Sequence, residues 1–117
     1  MATSLQEPTF LILAALAAEP RHGYGVIQDV ADLSEGRVVL RPGTLYGALD
    51  RLTEQGLVVV DREEIVDGRL RRYYRLTDAG AGLLGEEARR LATNAEAAVA
   101  RLRSRGRAAR RAAGETA

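Results

Sequence analysis

Leu45, Leu49 and Leu52 recur at i, i+4 and i+7 inside Arg41–Gly56 and so share one stripe of a helix. Pro42 suits the first turn of that helix, where its missing N–H is no loss, and Gly56 suits the left-handed residue that ends it. At about 100° per residue, Gly43, Tyr46, Gly47, Asp50 and Arg51 point away from the leucines. Upstream, Pro8 to Ala18 carries Phe10, Leu11, Leu13, Ala14 and Leu16 on most sides, which predicts a helix buried on more than one face. Glu19-Pro20-Arg21 breaks it, because proline disfavours helix in the residue before it. His22-Gly23-Tyr24-Gly25 begins a second helix, to Leu33, with Ile27, Val30 and Ala31 at core spacing and two glycines that permit close backbone approach. Ser34 to Arg37 reads as a turn, and Val38-Val39-Leu40 as an apolar connector with room for a single bridge of strand. The second and third helices make a helix–turn–helix with a long turn.

After Gly56 the period changes. Leu57 to Ile65 reads as a strand, Asp67-Gly68 is a hairpin turn signal, and Leu70 to Leu76 is the return strand. Alternation puts Leu70, Arg72, Tyr74 and Leu76 on one face and Arg71, Tyr73 and Arg75 on the other. Three helices followed by a basic hairpin predict a winged helix, mainly α with a small β-hairpin. Thr77 can cap a further helix starting at Asp78, although Gly80, Gly82 and Gly85 each weaken it by up to about 1 kcal/mol. From there Leu84, Ala88, Leu91, Ala95, Ala98 and Leu102 follow a seven-residue repeat with apolar a and d positions. This stripe reads as a homodimer interface; the competing reading folds the helix back on its own domain. The expected domains are residues 1–76, the winged helix; 77–104, a long dimerisation helix; and 105–117, a basic flexible tail. That tail is either a frayed, solvated helix end or an extension that adds non-specific attraction to DNA.

Composition narrows the function. At 117 residues with 46% hydrophobic and 28% charged positions, one folded domain with a modest, largely aliphatic core is expected. There is no cysteine and only one histidine, His22, which removes disulfides, thiol metal sites and multi-histidine metal sites. No cofactor-binding motif is present, so none is expected. Gly23-Tyr24-Gly25 alone is a weak phosphate-loop signal and no strand precedes it; His22 reads as a turn or interface residue. The N-terminus lacks a basic region followed by an apolar run, and Phe10–Ala18 is too short to span a bilayer, so a cytoplasmic protein with no membrane contact is expected.

Net charge is only +1, so bulk charge does not announce a nucleic-acid binder. Its distribution does more: every basic residue is arginine, and Arg103 to Arg111 holds five with no acid between them. The region Arg62 to Arg75 holds another five against three acids. The third helix presents small residues, a phenol and a guanidinium, a face that can lie close to bases in a DNA major groove. Tyr46 either faces that groove or packs against the wing. Arg51 either reads a base or phosphate or is tied to Asp50 or Glu54. The wing tip, Asp67 to Arg71, is placed to reach a phosphate backbone or minor groove. A protein-interaction module is the rival class; an enzyme is disfavoured, since no nucleophile–base pair or metal cluster is present.

These motifs together resemble the PadR family of bacterial transcriptional regulators, in its short form with a single C-terminal helix. The matching residues are His22-Gly23-Tyr24-Gly25, Gly43-Thr44-Leu45-Tyr46 with Leu49, Arg51-Leu52 and Gly56-Leu57, then Gly68-Arg69 and Arg72-Tyr73-Tyr74-Arg75-Leu76-Thr77-Asp78-Ala79-Gly80. The resemblance implies a homodimer that represses transcription from inverted-repeat operators in double-stranded DNA and releases them when a small-molecule effector binds. It implies DNA contacts from Thr44, Tyr46, Gly47 and Arg51 on the third helix and from Gly68, Arg69 and Arg71 on the wing. Two departures matter. Some short relatives bind flat aromatic drugs between tryptophans, but this chain has none, and Leu91 stands at about that place; an effector pocket would be aliphatic, lined by Phe10, Ala14, Leu91 and Ala95. Arg72 stands where many relatives carry lysine, which keeps the charge.

Overall fold

The computed structural model describes residues 5–115. Its elements run α1 (Glu7–Ala17), β1 (Arg21–His22), α2 (Gly23–Leu33), α3 (Pro42–Glu54), β2 (Val58–Val66), β3 (Arg69–Leu76) and α4 (Asp78–Glu115). The described chain divides into two compact units at Gly85–Glu86.

In the first unit the apolar positions converge. Ile12, Leu13 and Leu16 of α1, Val26 and Val30 of α2, Leu45, Leu49 and Leu52 of α3, and Val58 and Tyr74 of the hairpin are all buried in one core. Burying each large aliphatic side chain contributes about 1.5–3 kcal/mol, so this cluster is what holds the three helices and the sheet together. The α3 leucines point inward as the i, i+4, i+7 spacing requires. The end of α3 is also as expected: Gly56 takes φ 75°, its N–H donates to the Thr53 carbonyl, and the Leu57 N–H donates to the Leu52 carbonyl at 3.0 Å. Those are the two hydrogen bonds of a Schellman cap.

Strand order is β1-β3-β2, all antiparallel. Here the structure corrects the sequence reading. The third strand is not in Val38–Leu40 but at Arg21–His22, paired with Tyr74 and Tyr73. The physical reason lies in Ser34, which is buried after α2. Its hydroxyl accepts the Val38 N–H at 2.9 Å and donates to the Ala31 carbonyl at 3.2 Å. With that amide bound to Ser34 and Leu40 buried in the core, the connector is fixed as an irregular link. The free edge of β3 is taken by the segment that follows α1.

The hairpin turn has φ 52° at Asp67 and φ 75° at Gly68. Two consecutive positive φ values are those of a type I′ turn, whose twist matches the flanking strands. An irregularity between Val60 and Arg62 leaves Asp61 as the extra residue in β2. Thr77 caps α4 as expected, accepting the Gly80 N–H at 3.0 Å, and its hydroxyl also donates to the Gly56 carbonyl at 2.7 Å. Gly80 is more than a weak helix former: a Cβ there would overlap the Leu57 carbonyl.

The second unit is the remainder of α4. The helix does not stop near residue 104 but runs on to Glu115, so the basic segment after residue 104 is helical over its described length. Residues 103–113 lose the apolar stripe, yet arginine and alanine are strong helix formers, so periodicity ends before helicity does.

Candidate nucleic-acid interface

α3 separates its residues by face. Leu45, Ala48, Leu49 and Leu52 are buried, whereas Thr44, Tyr46, Asp50 and Arg51 are exposed and Gly47 is half-buried. The helix therefore keeps a free side on which Gly43 and Gly47 add no bulk. Arg51 forms no ion pair with Asp50 or Glu54 and no side-chain hydrogen bond among the described residues. Of the two readings left open for it, the internal tether is thus absent.

Tyr46 follows neither of its two readings fully. It is 47% exposed, but its hydroxyl end leans on Gly23 at the start of α2, so closely that a Cβ at Gly23 would collide with it. The first glycine of His22-Gly23-Tyr24-Gly25 therefore makes room for the phenol of α3 rather than for a ligand phosphate.

The wing shares a groove with Tyr46 of α3. Its base is rigid, with Val58, Val60, Tyr74 and Leu76 in or against the core. Ion pairs lace its exposed surface: Arg72 Nε to Glu63 at 3.2 Å, and Arg75 Nε to Asp61 at 3.4 Å. Arg62 pairs with Asp61 at 3.3 Å and lies 3.9 Å over the Tyr73 ring, which in turn meets His22 edge-on at 5.4 Å. Partial burial and the nearby Arg71 guanidinium hold the His22 pKa below its ordinary 6.5, with Glu64 acting against them. His22 is thus neutral near pH 7 and serves as a packing residue of the wing root.

At the tip, Gly68 and Arg69 are exposed and Arg71 is half-buried. Between the tip and the helices lies an open groove of about 620 Å³, lined by His22, Tyr24, Tyr46, Arg69, Leu70 and Arg71 among others.

The arginines of this unit fall into two sets. Arg21, Arg37, Arg62, Arg72 and Arg75 are each ion-paired. Arg41, Arg51, Arg69 and Arg71 have no carboxylate partner among the described residues, and these four lie at the start of α3, on α3 and on the wing. Sequence reading missed Arg41, although a basic residue just ahead of Pro42, at the positive end of α3, was a usable signal. It also passed over Tyr24, which is 69% exposed and borders the groove.

The other site residues fall elsewhere. Leu84 packs against the core of the first unit. In the second unit Ala88, Leu91, Ala95, Ala98 and Leu102 are all exposed, as is Val99, which the heptad reading passed over. Phe10 and Ala14 are half-buried on α1. Among the described residues no helix is long and apolar enough to cross a membrane.

Comparison with known proteins follows the same lines. The model of the transcriptional regulator PadR-like family matches residues 12–86. Transcriptional regulator Rv3488 of Mycobacterium tuberculosis is 42% identical over 80 residues, covering 68% of this chain and 71% of that protein. A PadR family transcriptional regulator from Eggerthella lenta superposes with a TM-score of 0.65 at 28% identity, over 80% of each chain. Bacillus subtilis PadR, solved in complex with operator DNA, superposes with a TM-score of 0.62 over 69% of this chain and 47% of that one; at 22% identity it shares the fold.

Proposed function

Because the chain belongs to the PadR-like family, whose members are transcriptional regulators and not enzymes, we propose that it binds double-stranded DNA as a homodimer and represses transcription in the bacterial cytoplasm. One observation carries the reading: the arginines of the winged unit left without a carboxylate partner are those of α3 and the wing. An unpaired, exposed guanidinium keeps its donors for an external anion, and phosphate or a guanine edge matches its fork.

In this reading α3 enters the major groove, with Thr44, Tyr46, Gly47 and Arg51 against bases and their neighbouring phosphates. Gly68, Arg69 and Arg71 hold the adjacent backbone and fix the register. The stripe of Leu84, Ala88, Leu91, Ala95, Ala98 and Leu102 pairs two copies. A two-fold dimer then calls for an inverted repeat with half-sites about 34 Å apart, one turn of the duplex. That Bacillus subtilis PadR was solved with operator DNA on the same fold supports the choice of partner. A small-molecule effector acts by shifting the dimer between DNA-competent and incompetent arrangements.

The test is selection of bound duplexes from random DNA, followed by salt titration on the enriched sequence. A palindrome with half-sites one turn apart and a steep negative salt slope are expected. Arg69→Ala should weaken binding to all sequences alike and reduce the slope by about one, whereas Arg51→Ala should blur base preference. A dimer that enriches no sequence and shows no salt-dependent binding would favour the protein-interaction module.

A further inference from the structure

Gly23 is buried and is the first residue of α2, yet its backbone does not call for glycine. It is not among the residues of positive φ, so an L side chain fits its conformation, and alanine is the better helix former. What excludes a side chain there is Tyr46. The three heavy atoms nearest to a Cβ at Gly23 all belong to the phenol of Tyr46. The glycine side of this contact is held from behind. Arg21 Nε donates to the Ala15 carbonyl at 2.7 Å, and the same guanidinium pairs with Glu19 at 3.4 Å and Asp29 at 3.8 Å. His22 is paired with Tyr73 of β3. The tyrosine side is the one that can yield: Tyr46 is half exposed, and its hydroxyl has no hydrogen-bond partner among the described residues.

We propose that Gly23 is a positioning residue for DNA recognition: its missing side chain leaves a seat for the Tyr46 phenol, and the seat fixes where that hydroxyl meets the duplex. The inference rests on the DNA-binding reading above. A seated ring lies back against α2. It leaves the α3 surface at Gly43 and Gly47 clear, where an added Cβ would meet nothing in the first case and only the Arg51 guanidinium at 3.7 Å in the second. A methyl group at position 23 would turn the ring off α2 and into the space in front of α3, where it would both misplace the hydroxyl and hold the helix away from the bases. The seat has a second consequence. Gly23 directly follows β1, which is paired with β3 of the wing, and Tyr46 and the wing tip border one groove. Residues 21–23 therefore tie the position of the phenol to that of the wing, and so the register of one contact surface to the other.

The test is a double-mutant cycle of Gly23→Ala and Tyr46→Ala in the full chain, measured on the selected operator beside Arg69→Ala, with the duplex selection repeated on Gly23→Ala. The thermal midpoint of Gly23→Ala should stay near wild type, because the group that must move is the end of a flexible, half-exposed side chain. Its affinity should fall about tenfold, the effect of misplacing one hydrogen-bonding contact. The base preference it selects should shift in the same direction as that of Tyr46→Ala. In the Tyr46→Ala background Gly23→Ala should cost nothing further, since the two residues act through one contact. Wild-type affinity and preference in Gly23→Ala would overturn the seat. Costs that simply add would also overturn it, as they would mark a glycine that serves α2 alone; in both cases a weakened Arg69→Ala leaves the DNA reading intact. If Gly23→Ala melts well below wild type, the double variant decides: a recovered midpoint supports the seat and an unrecovered one overturns it. Failure of the wild type to bind any duplex would remove both readings together.

Discussion

The stripe of α3 and the stripe of α4 have the same spacing and opposite surroundings. Leu45, Leu49 and Leu52 repeat at four and three residues and are buried between α1, α2 and the hairpin. Leu91, Ala95, Ala98 and Leu102 repeat in the same way, yet Leu91 and Leu102 are 42% and 64% exposed. The first unit holds three further helical or strand layers to cover the α3 stripe; the second is one helix and has no other element with which to cover its own. Periodicity therefore tells which side of a helix wants burial and is silent on what supplies it.

The largest test of that contrast is a truncation in each stripe. Leu49→Ala should cost about 2–5 kcal/mol of unfolding free energy in urea titration, because it leaves a cavity in a closed core. Leu102→Asp should leave the unfolding of the isolated subunit nearly unchanged but weaken self-association by about a hundredfold or more in sedimentation, the cost of placing a charge in an apolar seam. If Leu102→Asp stays as associated as wild type, the stripe does not pair copies.

A smaller effect sharpens where the first unit ends. Gly80→Ala would press a methyl group into the Leu57 carbonyl, so it should destabilise by about 1–3 kcal/mol despite the better helix propensity of alanine. At Gly82, where nothing stands within 4 Å of a new Cβ, the same change should stabilise by up to about 1 kcal/mol. Thermal melts of the two variants give opposite signs if the first turns of α4 belong to the winged unit.

The smallest effect concerns pH. The only histidine lies in the first unit, and its pKa is held below 6.5 by burial and by Arg71. The unfolded chain therefore binds the proton more readily. His22 favours folding above pH 6.5, and that contribution is lost as the pH falls through its lowered folded value. Melting wild type and His22→Gln at pH 7.5 and 5.0 should show a slightly larger acid loss in the wild type. Equal losses would place the acid sensitivity on carboxylates instead.

Much of the fold was legible from local rules. The α3 leucine stripe, the Gly56 cap, the Asp67-Gly68 turn and the Thr77 cap each depend on a few neighbouring residues, and each stands where the pattern put it. The position of β1 was not legible, since two residues carry no period and their pairing depends on which edge of β3 is free. The extent of α4 to Glu115 was not legible, because the apolar stripe ends before the helix does. For the candidate interface, the free face of α3 could be read from periodicity, but the lean of Tyr46 on Gly23 and the sorting of arginines into paired and unpaired could not.

Local patterns were enough for the four helices, the hairpin, their order and the apolar side of each, because those follow from interactions among residues a few positions apart. Which charges neutralise one another follows instead from how distant segments pack. Arg72 and Arg71 are chain neighbours on opposite faces of one strand; the first is bonded to Glu63 and the second has no carboxylate partner among the described residues. An ion pair depends on distances of a few ångströms between distant parts of the chain, and the packing of strand on strand and helix on sheet fixes those distances.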